Sequence, residues 1–166
     1  MNKSYLFIIL LLLSCFLLCS CGGTSVEADI SAYGDTPITI SGLLDEDFTV
    51  TPNELARLDC VSMDESGTTT KAGGFGIVGP LLDTFLAQYG KSRSDYQKIR
   101  FFASDEYRIT LKDKYLADDK VIVLSIASGN DPLPEGYQPL RLFIPKVQSS
   151  YWIYAVIRIE FVPYEE

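Results

Sequence analysis

Pro139-Leu140-Arg141-Leu142-Phe143-Ile144-Pro145 is a short apolar run with a single charge, bounded by proline on both sides. Leu140 to Ile144 has strand length, and Pro145 closes it because proline cannot extend a ladder. Working outward, Ser128 to Pro139 is rich in Gly and Pro and is expected to be a loop. Val121-Ile122-Val123-Leu124-Ser125-Ile126 is almost continuously apolar, which predicts a strand buried on both faces. Downstream, Ala155 to Val162 alternates: Ala155, Ile157, Ile159 and Phe161 fall on one face, Arg158 and Glu160 on the other. That pattern predicts the final strand. Tyr151, Trp152 and Tyr154 lie between them as an aromatic cluster, which either covers a sheet edge or lines a ligand pocket or partner surface.

The preceding half of the chain holds shorter elements. Pro37-Ile38-Thr39-Ile40-Ser41 alternates and is β-rich, so it predicts a strand, with a loop from Gly42 to Asp47. Thr51-Pro52-Asn53-Glu54 is a capping box with proline at the first helical position, opening a short helix through Leu58. Asp59 to Met63 is then expected to be a brief strand carrying Cys60, and Asp64 to Gly74 a polar loop. Gly79-Pro80 is expected to open a second helix. Its stripe of Leu81, Leu82, Phe85, Leu86 and Tyr89 faces the core, and Gly90 closes it. Strands are expected at Ile99–Ala103 and Tyr107–Leu111 around Ser104-Asp105-Glu106, then a helical turn over Lys112–Ala117. Many short strands with a few short helices predict one compact α+β domain with mixed β-sheets. No internal repeat and no Gly-rich phosphate loop is present.

The first residues are a leader. Met1-Asn2-Lys3-Ser4 is followed by an apolar run from Tyr5 through Leu18, between a signal h-region and a spanning helix in length. Leu18-Cys19-Ser20-Cys21 resembles a bacterial lipobox. The expected organisation is a signal peptide over 1–20, a lipid on Cys21 with a flexible tether over 21–35, and the domain over 36–166. That places the protein outside the cytoplasm, anchored at the outer face of a membrane of the cell envelope.

Composition removes several classes of chemistry. The 166 residues contain no histidine, which excludes Ser-His-Asp and Cys-His nucleophiles and ordinary zinc hydrolase sites. The formal net charge of -8 argues against nucleic acid and against anionic lipid as partners held by overall charge. Acidic runs such as Asp45-Glu46-Asp47 lack the alternating spacing of a calcium loop and read as solvated. Cys15 and Cys19 lie in the leader and Cys21 at the anchor, so Cys60 is the mature domain's free thiol. It is either a small buried hydrophobe or a metal ligand.

The order of segments resembles the oxidoreductase molybdopterin-binding domain of the sulfite oxidase family, over about Ile38 to Val162. Ile38-Thr39-Ile40-Ser41-Gly42 is similar to its opening strand, and Leu58-Asp59-Cys60-Val61-Ser62 to the segment that carries the molybdenum cysteine. Gly76 through Leu86 resembles the family's helix entry. Ser104-Asp105-Glu106-Tyr107 resembles a Ser-x-Asp-Gly-Tyr turn with glutamate replacing glycine. Asn130-Asp131-Pro132-Leu133-Pro134 loosely resembles Asn-Gly-x-Pro-Leu-Pro, and Pro139 to Pro145 is similar to Pro-Leu-Arg-Leu-Val-Val-Pro.

The resemblance implies a cofactor, molybdopterin with its molybdenum. Cys60 would be the metal ligand and catalytic position, and Asn130 and Arg141 would help hold the cofactor's phosphate. It also exposes departures. The family's His-Gly is Glu135-Gly136 here, and the lysine expected before the closing strand is Tyr154. Two readings follow: a molybdopterin-dependent redox protein with a redox partner, or a cofactor-free member of the fold that binds a small ligand or surface protein. An unrelated β-rich module with Cys60 buried is a third.

Overall fold

The computed structural model describes residues 25–64, 66, 68, 76–117, 119–147 and 151–164. Cys21 and the leader, most of the Asp64–Gly74 loop and Asp118 lie outside the described residues. The strands are β1 (Ile38–Ser41), β2 (Phe48–Val50), β3 (Cys60–Met63), β4 (Ile77–Pro80), β5 (Tyr96–Ala103), β6 (Arg108–Lys112), β7 (Val123–Ser125), β8 (Ala127–Ser128), β9 (Asp131–Pro132), β10 (Arg141–Phe143) and β11 (Val156–Pro163). They form a five-stranded sheet in the order β2-β1-β11-β5-β6, a four-stranded sheet β3-β4-β8-β9, and the pair β10-β7. β1 runs parallel to β11 and the other pairs are antiparallel, which is the α+β class with mixed sheets that the sequence predicts.

The largest sheet buries one face. Ile38, Ile40, Ile99, Phe101, Leu111, Ile159 and Phe161 are at most 1% exposed and share a core with Leu82, Leu86, Leu124, Leu140 and Leu142. Each such side chain contributes about 1.5–3 kcal/mol by leaving water. β7 is buried on both faces, with Val123, Leu124 and Ser125 all 0% exposed. The Thr51 capping box forms: the Glu54 N–H donates to Thr51 Oγ1 at 3.2 Å and the Thr51 N–H to Glu54 Oε2 at 2.8 Å.

Several local expectations change. Gly79 and Pro80 lie in β4, and the helix starts later, at Leu82–Ala87. The reason is close packing: a Cβ on Gly79 would sit 2.0 Å from the Leu124 carbonyl oxygen, so glycine serves strand contact there and not helix entry. Gly90 does end that helix, at φ +66, with the Lys91 N–H donating to the Leu86 carbonyl at 3.1 Å. In the last strand Val156 pairs with Ala103 and Arg158 with Phe102, so Ile157 is the extra residue of a β-bulge and is 41% exposed. Strict alternation had placed Ile157 inward. The packed chain also begins earlier than residue 36. Ala28, Ile30 and Tyr33 are buried against Val78, Ala127 and Leu133. The Tyr33 hydroxyl donates to the Ile126 carbonyl at 2.8 Å and accepts from the Leu133 N–H at 2.9 Å.

Candidate functional site around Arg141

Arg141 opens β10, and Phe143 follows two residues later on the same face, where it pairs with Val123. Past β10 the chain turns back along the strand. The Leu142 N–H donates to the Ile153 carbonyl at 2.9 Å, the Val156 N–H to Leu140 at 2.9 Å, and the Ala155 N–H to Tyr137 at 3.2 Å. Trp152 is held by its own indole N–H, which donates to the Ile144 carbonyl at 2.8 Å. These bonds bring four aromatic rings around one guanidinium. The Arg141 Cζ lies 5.1 Å from the Tyr154 ring centroid, 5.3 Å from Phe143, 5.4 Å from Trp152 and 5.8 Å from Tyr137. Tyr137 and Tyr154 stack on each other at 4.0 Å and 21°.

This arginine is 8% exposed, and its Nε has no hydrogen-bond partner among the described residues. Among the described residues no carboxylate forms an ion pair with it. The facing π-surfaces supply partial compensation, about 0.5–2 kcal/mol each. They cannot accept the directed bonds that a guanidinium fork offers. Phe143 is fully buried, whereas Tyr137, Trp152 and Tyr154 are half-buried and rim the cation. An oxyanion reaching the fork would pair a charge and an orphaned donor at once.

Cys60 is placed differently. It begins β3, opposite Pro80. Val61 and Met63 pack with Val123, Phe143 and Trp152, on the side of the aromatic box. Strand alternation turns Cys60 to the other face, where its Sγ lies 3.9 Å from the Leu55 carbonyl oxygen. The thiol is 3% exposed. Burial, with the Asp59 carboxylate nearby, pushes its pKa up to about 11, so it is a neutral thiol at ordinary pH.

Asn130 sits at an exposed tip. Ser128 pairs with Asp131, which leaves Gly129 and Asn130 as a two-residue hairpin turn with Gly129 at φ +63. Glu135 is also exposed, on the 3-10 turn Glu135–Tyr137. Among the described residues no hydrogen bond joins Cys60, Asn130 and Arg141.

The residues present do not fit the molybdenum cofactor that the resemblance implies. The metal-binding sulfur would come from Cys60, yet its strand turns that side chain away from the arginine, into a buried position 3.9 Å from the Leu55 carbonyl oxygen. The cation expected at a phosphate is walled by rings, and the tyrosine standing in the family's lysine position is one of those rings. The sequence groups Tyr151, Trp152 and Tyr154 but carries no signal that joins them to Arg141. Tyr137 and Phe143 were missed altogether, since neither lies near Tyr154 in sequence.

No family model and no curated protein matches the chain. Among solved structures it is similar to the sulfane dehydrogenase SoxCD from Paracoccus pantotrophus, with a TM-score of 0.59 and 18% identity. The likeness covers 83% of this chain and 40% of that one, so the chain spans less than half of the dehydrogenase's length. At that identity the likeness is one of fold, and it agrees with the sulfite-oxidase-like α+β domain expected from the sequence.

Proposed function

We propose that this protein is an envelope lipoprotein whose domain keeps the sulfite-oxidase-like fold without its cofactor and binds a small oxyanion at Arg141. One observation carries the reading: a buried guanidinium with four aromatic neighbours, no ion pair among the described residues and an unbonded Nε. A group of that kind costs several kcal/mol to bury unless something answers it. A carboxylate, sulfate or phosphate would do so through two parallel bonds. The lipobox supports the anchor: Cys21 would carry the lipid and hold the domain at the outer face of a membrane.

The redox reading is supported by the dehydrogenase's fold and by Cys60 opening β3. It requires the buried Cys60 to face the arginine, from which its strand now turns it away. Molybdopterin would supply the redox chemistry if bound, and Cys60 is the residue that would hold the metal.

The test is thermal unfolding of the protein in sulfate, phosphate or chloride at matched ionic strength. A bound anion stabilises the native state by RT ln(1 + [L]/Kd), about 2.7 kcal/mol at a hundredfold excess over Kd. The reading expects saturable stabilisation by the oxyanions, absent in Arg141→Met. A non-saturating rise shared by both proteins is the general salting effect and would overturn it. The anchor is tested separately, by intact mass of the exported protein and of Cys21→Ser.

A further inference from the structure

The outer face of the large sheet carries a charge opposite to the chain's own. Along β5 the outward positions are Lys98, Arg100 and Phe102, along β6 Arg108, Thr110 and Lys112, and along β11 Arg158 and Glu160. Five cations therefore share one face of a chain whose net charge is -8. Glu160 is the carboxylate these three strands contribute, and it is already used twice. Its Oε2 bonds Arg100 at 2.8 Å and its Oε1 lies 3.6 Å from Arg158.

Lys98 stands directly across from Lys112 in the ladder. Like charges in that position repel, and neither has an ion pair among the described residues. Together with Gln97, Arg100 and Thr110 they line an open depression of about 520 Å³. Among the described residues no helix or second sheet is packed over these positions, which stay exposed or half-buried. The charge segregation reverses the expectation drawn from net charge. At a Debye length of about 8 Å a surface senses the nearest charges and not the molecular total.

From these observations we infer that this sheet face docks on an anionic lipid bilayer. The choice of a bilayer over other polyanions rests on the anchor reading. From Cys21 to the first buried residue, Ala28, the chain advances seven residues, a reach of at most about 25 Å. A lipid on Cys21 holds the domain that close to the headgroups. Cations within a Debye length of a negative leaflet then add to the anchor, with roughly fivefold tighter binding for each.

The test uses the chain from Gly22 onward, which lacks the lipid. Among the described residues the three core clusters are built from Val26 and later residues, all of which this chain contains. Co-sedimentation with vesicles of phosphatidylcholine alone and with 30% (about one lipid in three) phosphatidylglycerol reads the docking directly. Binding to the anionic vesicles alone is expected, lost at high salt and weakened roughly 25-fold in Lys98→Ala/Lys112→Ala. Equal pelleting with both vesicle types, no pelleting, or an unaffected double variant would overturn the proposal. So would salt-sensitive dimerisation abolished by the same variant, which would assign the face to a second copy. Because this chain has no Cys21, these outcomes are independent of the lipidation result.

Discussion

The Tyr154 ring lies 5.1 Å from the Arg141 guanidinium carbon, at the position that the sequence resemblance matches to a lysine. An aromatic face therefore meets this cation where a like charge would have repelled it. The other buried arginine shows what a structural guanidinium looks like. Arg93, 4% exposed, bonds both oxygens of Asp83 at 2.6 and 2.9 Å and the Ala117 carbonyl at 2.7 Å.

The two arginines should respond differently to mutation. Asp83→Ala removes two bonds of a buried cation and is expected to cost about 1–2 kcal/mol, less than for a fully enclosed pair because Asp83 is half exposed and Arg93 keeps other partners. Arg141→Met removes an unanswered charge, its unbonded Nε and its ring contacts together. It is expected to change stability by less than about 1 kcal/mol. Urea unfolding with an unchanged m-value measures both. A large loss in Arg141→Met would make that arginine structural and sink the anion site.

Cys60 gives a pH dependence with a defined sign. Folding raises its pKa from 9.0 to about 11, so the native state holds the proton more tightly than the unfolded chain does. Its contribution is complete below pH 9 and is lost as pH rises toward 11, about 2–3 kcal/mol in all. Cys60→Val should flatten the stability curve over that window. Native protein should also react with iodoacetamide at pH 8 no faster than it unfolds. Rapid native alkylation would mean an accessible thiolate.

Much of the fold is legible in the sequence because local chemistry and tertiary packing agree. The Thr51–Glu54 box, Gly90 and the centre of the Val121–Ile126 run behave as their residue types require, the strand itself shortening to Val123–Ser125 with Val121 39% exposed. The misreadings fall where packing decides. Gly79 lies in a strand because the Leu124 carbonyl approaches it, and Ile157 turns outward because a bulge inserts one residue. Gly129-Asn130 has the residues of a tight hairpin turn, embedded in the longer loop expected over Ser128 to Pro139. The site was half legible. Arg141 was chosen for phosphate chemistry, but its ring neighbours come from three separated segments whose meeting no local pattern encodes.

Gly79 offers a direct check on that packing. In Gly79→Ala the new methyl would meet the Leu124 carbonyl at 2.0 Å, backbone against backbone, so β4 and β7 must separate. A loss of about 3 kcal/mol is expected in chemical denaturation. A neutral effect would show that the two strands are not in close contact.

Glu106 tests the turn at which the sequence resemblance has glycine. Its φ is +69, so the left-handed turn is kept although the residue disfavours it. Glu106→Gly should stabilise by about 0.5–1 kcal/mol, relief of strain outweighing glycine's entropy. A loss of stability would mean that the Glu106 side chain contributes more than the strain it causes.

The most direct measurement is molybdenum and pterin content of the protein from Gly22 onward, exported from a host that makes molybdopterin, beside Cys60→Ser. Cys60 buried on the strand face away from Arg141 predicts well-folded protein with neither component. Near-stoichiometric molybdenum and pterin, with the metal lost in Cys60→Ser, would contradict the account and make this a redox enzyme.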